Sequence, residues 1–283
     1  MKKIMLVLTS LAALNCFGED IFTYKTGDYE ICTLVETTGP GRPQVLIGAD
    51  EALQRRYLAP AGGAPDFQSE INTFLIRGKG RVVLVDTGFG GAVFENMKKL
   101  GVNPGDVDVV LLTHLHGDHI GGLAKDGKAL FPRALVYLAE QERDYWTKTN
   151  VNAGAVAALA PYGNRIRTFK PGELGAAAAE LLPGITAIAA FGHTPGHTAF
   201  LVVSGNARLL IWGDVMHVQG IQFPRPDISV TYDTDPVRAA EVRKKILDYA
   251  AKNNIPVAGM HLLYPAVGTV RPAGDGFSFE PAR

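Results

Sequence analysis

Four side chains that commonly bind divalent metals are concentrated in one short stretch of the chain. The segment Thr-His-Leu-His-Gly-Asp-His occupies residues 113–119 and contains His114, His116, Asp118 and His119. Imidazole and carboxylate groups suit Zn²⁺ and similar first-row ions. A histidine pair two positions apart can chelate one ion from extended backbone, while Asp118 and His119 turn toward another. The segment therefore predicts a metal centre in preference to a histidine-rich surface loop or a run of unrelated core histidines.

Other candidate ligands are distant in sequence, but each directly follows an apolar segment with the character of a strand. They are His193, Asp214 and His261, and Asp86 has the same position after an earlier apolar segment. Strand ends meet at one edge of a layered sheet, so we expect these side chains to converge. The donors then divide into two groups of three with Asp214 as a bridge. The first group is His114, His116 and His193, and the second is Asp118, His119 and His261.

Two ions held in this way would each keep an open position for a shared water. Two cations lower the pKa of such a water from about 15.7 toward about 7, which provides a nucleophile without a serine or cysteine. Ions roughly 3.5 to 4 Å apart also polarise a carbonyl or phosphoryl oxygen and stabilise the leaving oxygen. The predicted chemistry is hydrolysis by a metal-bridging hydroxide.

Composition limits the class of protein. The 283 residues carry 28 basic and 28 acidic side chains, and this zero net charge gives no indication of nucleic-acid binding. Hydrophobic residues make up 47% of the chain, enough for one large core or two small ones. The 32 glycines and 17 prolines indicate many turns and favour a β-rich or α/β architecture.

The first 18 residues have the form of a bacterial export signal. Lys2 and Lys3 precede an apolar run over residues 4–14, which is too short for a stable membrane span. We expect cleavage after Gly18, a mature domain over residues 19–283, and export to the periplasm or beyond. Lipidation of Cys16 is the less favoured alternative. Removal of the signal leaves only Cys32, so no intramolecular disulfide is expected.

The remaining pattern alternates strands and helices. Turn motifs predict hairpins around residues 27–28, 78–80, 205–206 and 274–276. Residues 109–113 form an apolar run typical of a strand buried on both faces. Helices are predicted over residues 92–100, 140–146, 151–159 and 236–252, whereas residues 36–68 are predicted to be a long loop with one strand.

These motifs resemble the metallo-β-lactamase superfamily. The resemblance rests on residues 113–122, Asp86-Thr87-Gly88, residues 192–197, Gly213-Asp214 and His261, which occur in the family's order. It implies an α/β fold, a four-layer αββα sandwich, in a single domain. It also implies the two ligand groups given above, with Asp214 as the bridge. Two Zn²⁺ ions are the expected cofactors, with Mn²⁺, Fe²⁺ or Co²⁺ as alternatives.

A narrower resemblance concerns the branch that contains methyl parathion hydrolase and related lactonases. It is carried by residues 210–217, Gln222-Phe223-Pro224 and residues 233–236. This resemblance implies hydrolysis of small-molecule lactones or related esters, with phosphotriesters as a second substrate class. A β-lactam hydrolase and a non-catalytic metal-binding module of the same fold remain alternatives, and the oligomeric state, including a homodimer, is left open.

Several further residues receive roles by the resemblance or by position. Asp86 and His197 are expected to support ligand loops through hydrogen bonds. Asp118 and His217 are the candidate catalytic residues. For His217 the reason is that related lactonases place a substrate-facing tyrosine at its position. A histidine there could polarise a carbonyl or protonate a leaving alkoxide, and the alternative is a histidine bonded to nearby backbone. The candidate pocket wall consists of Phe89, Tyr145, Trp146 and Phe223.

Overall fold

The computed structural model describes residues 21–59, 64–177 and 179–283. The expected export signal over residues 1–18 and its cleavage site lie outside this range. In the described part of the chain, no helix is both long and apolar enough to cross a membrane.

The strands follow the expected turns. In chain order they are β1 (Ile21–Thr26), β2 (Tyr29–Pro40), β3 (Leu46–Ile47), β4 (Gln68–Gly78), β5 (Arg81–Val85), β6 (Val109–Leu111), β7 (Ala124–Lys125), β8 (Lys128–Ala129), β9 (Leu135–Ala139), β10 (Ile166–Phe169), β11 (Glu180–Leu182), β12 (Ile185–Ala189), β13 (Thr198–Ser204), β14 (Ala207–Ile211), β15 (Ser229–Val230), β16 (Val257–Ala258), β17 (Val267–Ala273) and β18 (Gly276–Pro281).

In the described part of the chain, the α-helices are fewer than the strands. They are α1 (Glu51–Leu58), α2 (Ala92–Lys99), α3 (Gly117–Ile120), α4 (Glu140–Asp144), α5 (Ala153–Leu159), α6 (Gln219–Gln222) and α7 (Pro236–Asn253), with a π-helical turn at Tyr145–Thr149 and short 3₁₀ turns at Pro43–Val45, Pro104–Asp106 and Ala160–Arg165. The expected helix over residues 140–146 is thus α4 continued by the π turn.

Two seven-stranded mixed sheets form the centre of the fold. The first has the order β1-β2-β4-β5-β6-β9-β10, antiparallel as far as β5 and parallel from there to β10. The second has the order β11-β12-β13-β14-β16-β17-β18, in which only β14 and β16 run parallel. These are the two packed sheets of the α/β sandwich that the sequence predicted.

Alternation along the strands sorts side chains between the layers. In β4, Phe74 and Ile76 belong to the core between the sheets, whereas Leu75 belongs to a second core beneath α2 and α5. Neighbouring residues of a strand point to opposite faces, so a strand covered on both sides is apolar throughout. The helix α7 covers the second sheet with Ile246 and Leu247, which completes the α-β-β-α order of layers.

The prediction of a long loop over residues 36–68 is wrong in part. Strand β2 extends to Pro40, and α1 begins after Asp50, whose side chain accepts a hydrogen bond from the amide of Leu53 at 2.8 Å. Only Leu58 of α1 is buried, so the helix lacks the apolar periodicity by which helices are recognised in sequence.

Candidate metal centre

The predicted site residues lie at one edge of the two sheets. Asp86 follows β5 and the histidine stretch follows β6, both in the first sheet. His193 lies between β12 and β13, Asp214 follows β14 and His261 follows β16, all in the second sheet. The sandwich therefore brings together side chains that are as far apart in sequence as Asp86 and His261.

The first group of donors converges on one point. Nε2 of His193 lies 3.2 Å from Nε2 of His114 and 3.0 Å from Nδ1 of His116. Nitrogens bound tetrahedrally to one zinc at 2.0–2.1 Å would be about 3.4 Å apart. The three nitrogens are thus spaced closely enough to share an ion.

The second group lies on the other side of Asp214. Nε2 of His119 and Nε2 of His261 are each 3.6 Å from Oδ2 of Asp118. Oδ1 of Asp214 is 3.3 Å from Nε2 of His119, and its Oδ2 is 3.0 Å from Nε2 of His261 and 3.3 Å from Nε2 of His193. The Asp214 carboxylate therefore contacts both groups, as expected of a bridge.

Hydrogen bonds on the outer side fix the orientation of three ligand rings. Nδ1 of His119 is 2.7 Å from Oδ2 of Asp86, and Nδ1 of His193 is 2.8 Å from Oδ1 of Asp233. Nδ1 of His261 donates to the carbonyl oxygen of Glu70 at 2.9 Å. Each ring then presents an Nε2 lone pair inward, the arrangement typical of histidines that bind metal.

Two buried atoms at the centre are left without a conventional partner. Among the described residues, neither Nε2 of His119 nor Oδ1 of Asp214 has a hydrogen bond of acceptable geometry. An unsatisfied buried polar group costs about 1–3 kcal/mol. Divalent ions would satisfy both atoms, so the donor set fits the metals that the sequence implied.

The local electrostatics of the first group also favour metal binding. Burial lowers the pKa of His114 well below its usual value, that of His116 to about 4 and that of His193 to about 3. These imidazoles are therefore neutral at pH 7, the form that coordinates metals. Burial opposes ionisation of Asp214, but the facing imidazoles of His119 and His261 outweigh it and hold the pKa of that carboxyl well below its usual range.

His197 has the supporting position that the sequence suggested. Its Nδ1 donates to the carbonyl oxygen of Ala190 at 2.9 Å, so its Nε2 can accept from the amide of Asp214 at 2.9 Å. Burial lowers the pKa of His197 to about 4, which keeps the ring in this neutral form. A Cβ on Gly213 would lie 2.4 Å from Nε2 of His197, so only glycine permits this approach.

His217 lies beside the bridging carboxylate. Its Nε2 is 3.2 Å from Oδ2 of Asp214, and its ring stacks on that of His261 with centroids 4.9 Å apart. The amides of His217 and Val218 both donate to Oε1 of Gln222 at 2.8 Å, which fixes the loop. In the described structure its Nδ1 has no hydrogen-bond partner, so the ring is not bonded to backbone as the alternative supposed.

A cavity of about 770 Å³ opens above the centre. Its floor consists of His116, Asp118, His193, Asp214, His217 and His261. Apolar side chains on its walls include Val45, Phe67, Ile71, Phe89 and Val218. A volume of this size accommodates a small-molecule substrate.

The aromatic wall predicted from sequence is only partly present. Phe89 lines the cavity and is 55% exposed, but the lining formed by described residues does not include Tyr145, Trp146 or Phe223. Phe223 is buried in the core, where its ring stacks on Phe279 with centroids 5.2 Å apart. Trp146 packs edge-on against the ring of His116, with 5.4 Å between the ring centroids. The expected pocket roles of these residues are therefore not supported.

Sequence reasoning missed three supporting residues. Asp233 was part of a motif but had no assigned role, and the Glu70 carbonyl belongs to backbone, which sequence does not reveal. Glu142 is a carboxylate that is only 1% exposed. It contacts the loop that carries His114 and His116 and the loop that carries His193. It lies in the run Glu-Gln-Glu-Arg-Asp, whose composition is typical of a solvated helix face.

A family model and two solved structures agree on the family and the fold of this chain. Residues 67–255 match the metallo-beta-lactamase superfamily. The hydrolase AbOPH of the beta lactamase superfamily superposes with a TM-score of 0.84 at 30% identity, covering 93% of this chain and 98% of that one. AidC, a dizinc quorum-quenching lactonase solved with a product, has a TM-score of 0.84 at 25% identity, covering 93% of this chain and 97% of that one.

Curated relatives match a much shorter region. Ribonuclease Z of Clostridioides difficile is 41% identical over 66 residues, which are 23% of this chain and 21% of that protein. The chain thus spans about a fifth of the length of this relative.

Proposed function

The chain belongs to the metallo-β-lactamase superfamily, and we propose that it is a dinuclear hydrolase of lactones or related esters, with phosphotriesters as a second substrate class. The observation that carries this proposal is the position of Asp214. Its carboxylate contacts both donor groups at the floor of an open cavity, which suits a residue that holds two ions beside a substrate.

The ligand residues would hold the ions as the two groups described above. Bound there, two divalent ions would supply Lewis-acid activation of water and of the substrate oxygen. Zn²⁺ is the proposed metal, because imidazole and carboxylate donors suit it, and Mn²⁺, Fe²⁺ and Co²⁺ are the alternatives.

Side chains of the protein would bind the substrate and accept or donate protons. Asp118 faces the cavity with 23% of its side chain exposed, so its carboxylate can accept a proton from water. His217 lines the floor next to Asp214 and can give a proton to the leaving oxygen of a bound ester. Buried His197 holds the Asp214 backbone in place during both events.

The cavity walls support a substrate with an apolar part. Phe67, Ile71 and Phe89 offer apolar surface beside the polar floor. This suits an acyl chain or an aromatic leaving group attached to a carbonyl or phosphoryl centre. AidC is a quorum-quenching lactonase with a comparable structure, which supports lactones as the leading class. A β-lactam is the competing substrate, because it also presents a carbonyl carbon to attack.

We further propose that the mature protein is a single domain over residues 19–283 that is exported through its N-terminal segment. Expression in a bacterial host with the full sequence, followed by fractionation and N-terminal sequencing, tests this. Recovery of the uncleaved chain from the cytoplasm would contradict it.

Metal analysis combined with a substrate panel tests the activity. The purified protein should hold two ions per chain and hydrolyse at least one of N-acyl-homoserine lactones, aryl lactones and methyl parathion faster than a β-lactam. Fewer than one ion per chain and no turnover of any of these compounds would sink the proposal in favour of a non-catalytic binding module.

A further inference from the structure

We propose that Glu142 is a positioning residue that sets the geometry of one metal group, formed by His114, His116 and His193, and leaves the other group unaffected. The inference rests on the metal binding in the proposed function, but it does not depend on which substrate is hydrolysed.

The Glu142 carboxylate accepts four hydrogen bonds. Oε1 accepts from the amide of Leu115 at 3.0 Å and from Nε1 of Trp146 at 2.6 Å. Oε2 accepts from Oγ1 of Thr194 at 2.7 Å and from the amide of Gly196 at 2.8 Å. With four donors around it, this buried carboxylate has its hydrogen-bonding capacity filled.

These donors belong to the segments that carry the first metal group. Leu115 lies between His114 and His116, and Thr194 directly follows His193. The third connection is indirect, because Trp146 packs its ring against that of His116. A single side chain thus joins two loops that come from different sheets.

The packing of the second loop against α4 is equally close. A Cβ on Gly196 would lie 2.3 Å from the backbone nitrogen of Glu142, so glycine is required for the loop to reach the carboxylate. The position of the His193 loop is therefore determined by Glu142 on one side and by the Asp233 contact to His193 on the other.

The second metal group has other supports. Asp86 bonds to Nδ1 of His119, and the carbonyl oxygen of Glu70 accepts from Nδ1 of His261. The four hydrogen bonds to Glu142 come from neither of these ligands nor from Asp118. Loss of Glu142 should therefore weaken the binding of one ion and leave the binding of the other unchanged.

An amide cannot replace this carboxylate. In Glu142→Gln, one of the two oxygens becomes an NH₂ group that faces two donors. At least one backbone amide then loses its acceptor, and the loop that carries it must shift. Substitutions of residues that orient metal ligands cost about 10- to 100-fold in metal affinity, so a loss of this size is expected for one ion.

The test is zinc affinity measured by competition with a chromophoric chelator, which needs no turnover. The matched control is Glu140→Gln on the same helix, where the glutamate side chain is 45% exposed. The wild type and Glu140→Gln should show the same two dissociation constants. Glu142→Gln should show one of them raised about 10- to 100-fold and the other unchanged.

A second background identifies the affected ion. His116→Ala removes a ligand of the first group, so the affinity that remains belongs to the second group. Adding Glu142→Gln to His116→Ala should leave that remaining affinity unchanged, because the two substitutions act on the same ion.

If Glu142→Gln does not fold, Trp146→Phe decides, since it keeps an aromatic ring against His116 and removes one donor to Glu142. It should weaken the same ion by a smaller factor.

Other outcomes overturn the proposal. Unchanged affinities for both ions in a folded variant, equal losses for both, or a further loss in the His116→Ala background would each do so. A wild-type protein that binds fewer than two ions would overturn this proposal together with the proposed function. A wild type that binds two ions but hydrolyses no ester or lactone would remove only the proposed function.

Discussion

Nε2 of His217 lies 3.2 Å from Oδ2 of Asp214, the carboxylate that contacts both groups of metal ligands. The same His217 ring stacks on His261 and borders the cavity, so it lies between the candidate ligands and the open space above them. This contact places His217 next to the centre of the site.

His217→Ala should lower kcat by about 10²- to 10⁴-fold, because a positioned proton donor contributes that much. Two ions per chain should remain bound, since none of the proposed ligands is changed. Steady-state kinetics on the best lactone, with metal analysis of the same sample, checks this. His217→Phe retains a ring to stack on His261 and should be equally impaired. Unchanged turnover at full metal content would show that the catalytic role is wrong.

Asp214→Asn should weaken both ions rather than one. An amide offers one acceptor oxygen where the carboxylate offered two, and it removes the negative charge between the groups. We expect metal content below two ions per chain after dialysis, and turnover reduced more than about 100-fold. Full retention of both ions would contradict the bridging role.

Asp233→Asn should weaken the ion of the His193 group, because Asp233 orients the ring through Nδ1 at 2.8 Å. A loss of about 10- to 100-fold in affinity for one ion is expected. Asp233 also lies 3.8 Å from the buried guanidinium of Arg243, so thermal melting of the same variant is needed. If the melting temperature falls but both affinities are unchanged, the carboxylate serves only the fold.

Removal of metal should destabilise the protein. Ligands that bind only the folded state stabilise it by about 2.7 kcal/mol at 100 times the dissociation constant. Treatment with a chelator should lower the melting temperature, and added Zn²⁺, Mn²⁺ or Co²⁺ should restore both stability and turnover. A melting temperature that does not respond to metal would contradict the assigned centre.

Arg42→Gln should change substrate preference. Arg42 is exposed and is the only lysine or arginine among the described residues that line the cavity. A substrate with a carboxylate remote from the reacting bond should lose about tenfold in kcat/KM, whereas its neutral methyl ester should not. Arg56→Gln, outside this cavity, is the control. Equal effects on both substrates would exclude a charge-selective role for Arg42.

The convergence of the candidate metal ligands was predictable because their signals are local. Asp86 and the candidate ligands His114, Asp214 and His261 each follow an apolar run, and parallel strands place such ends together. The helix α7 was equally clear, since Asp235 and Pro236 mark its start and its apolar face is buried. In these cases the information that decides the structure lies within a few residues.

The remaining features depend on contacts between distant segments. Phe223 was expected at the cavity because it follows a site motif, but the Phe279 ring from β18 holds it in the core. Glu142 has a neighbourhood typical of a solvated helix, and only the approach of two loops shows that it is buried. Composition and residue spacing do not reveal which distant segments come into contact.

The ligands come from both sheets, so the ions would connect the two halves of the sandwich. His114 and His116 extend from β6, whereas Asp214 and His261 extend from β14 and β16. Amide hydrogens of β6 and β14 should therefore become slower to exchange together when metal is added, although the strands belong to different sheets. Metal occupancy would then govern the cooperativity of unfolding as well as the chemistry at the cavity floor.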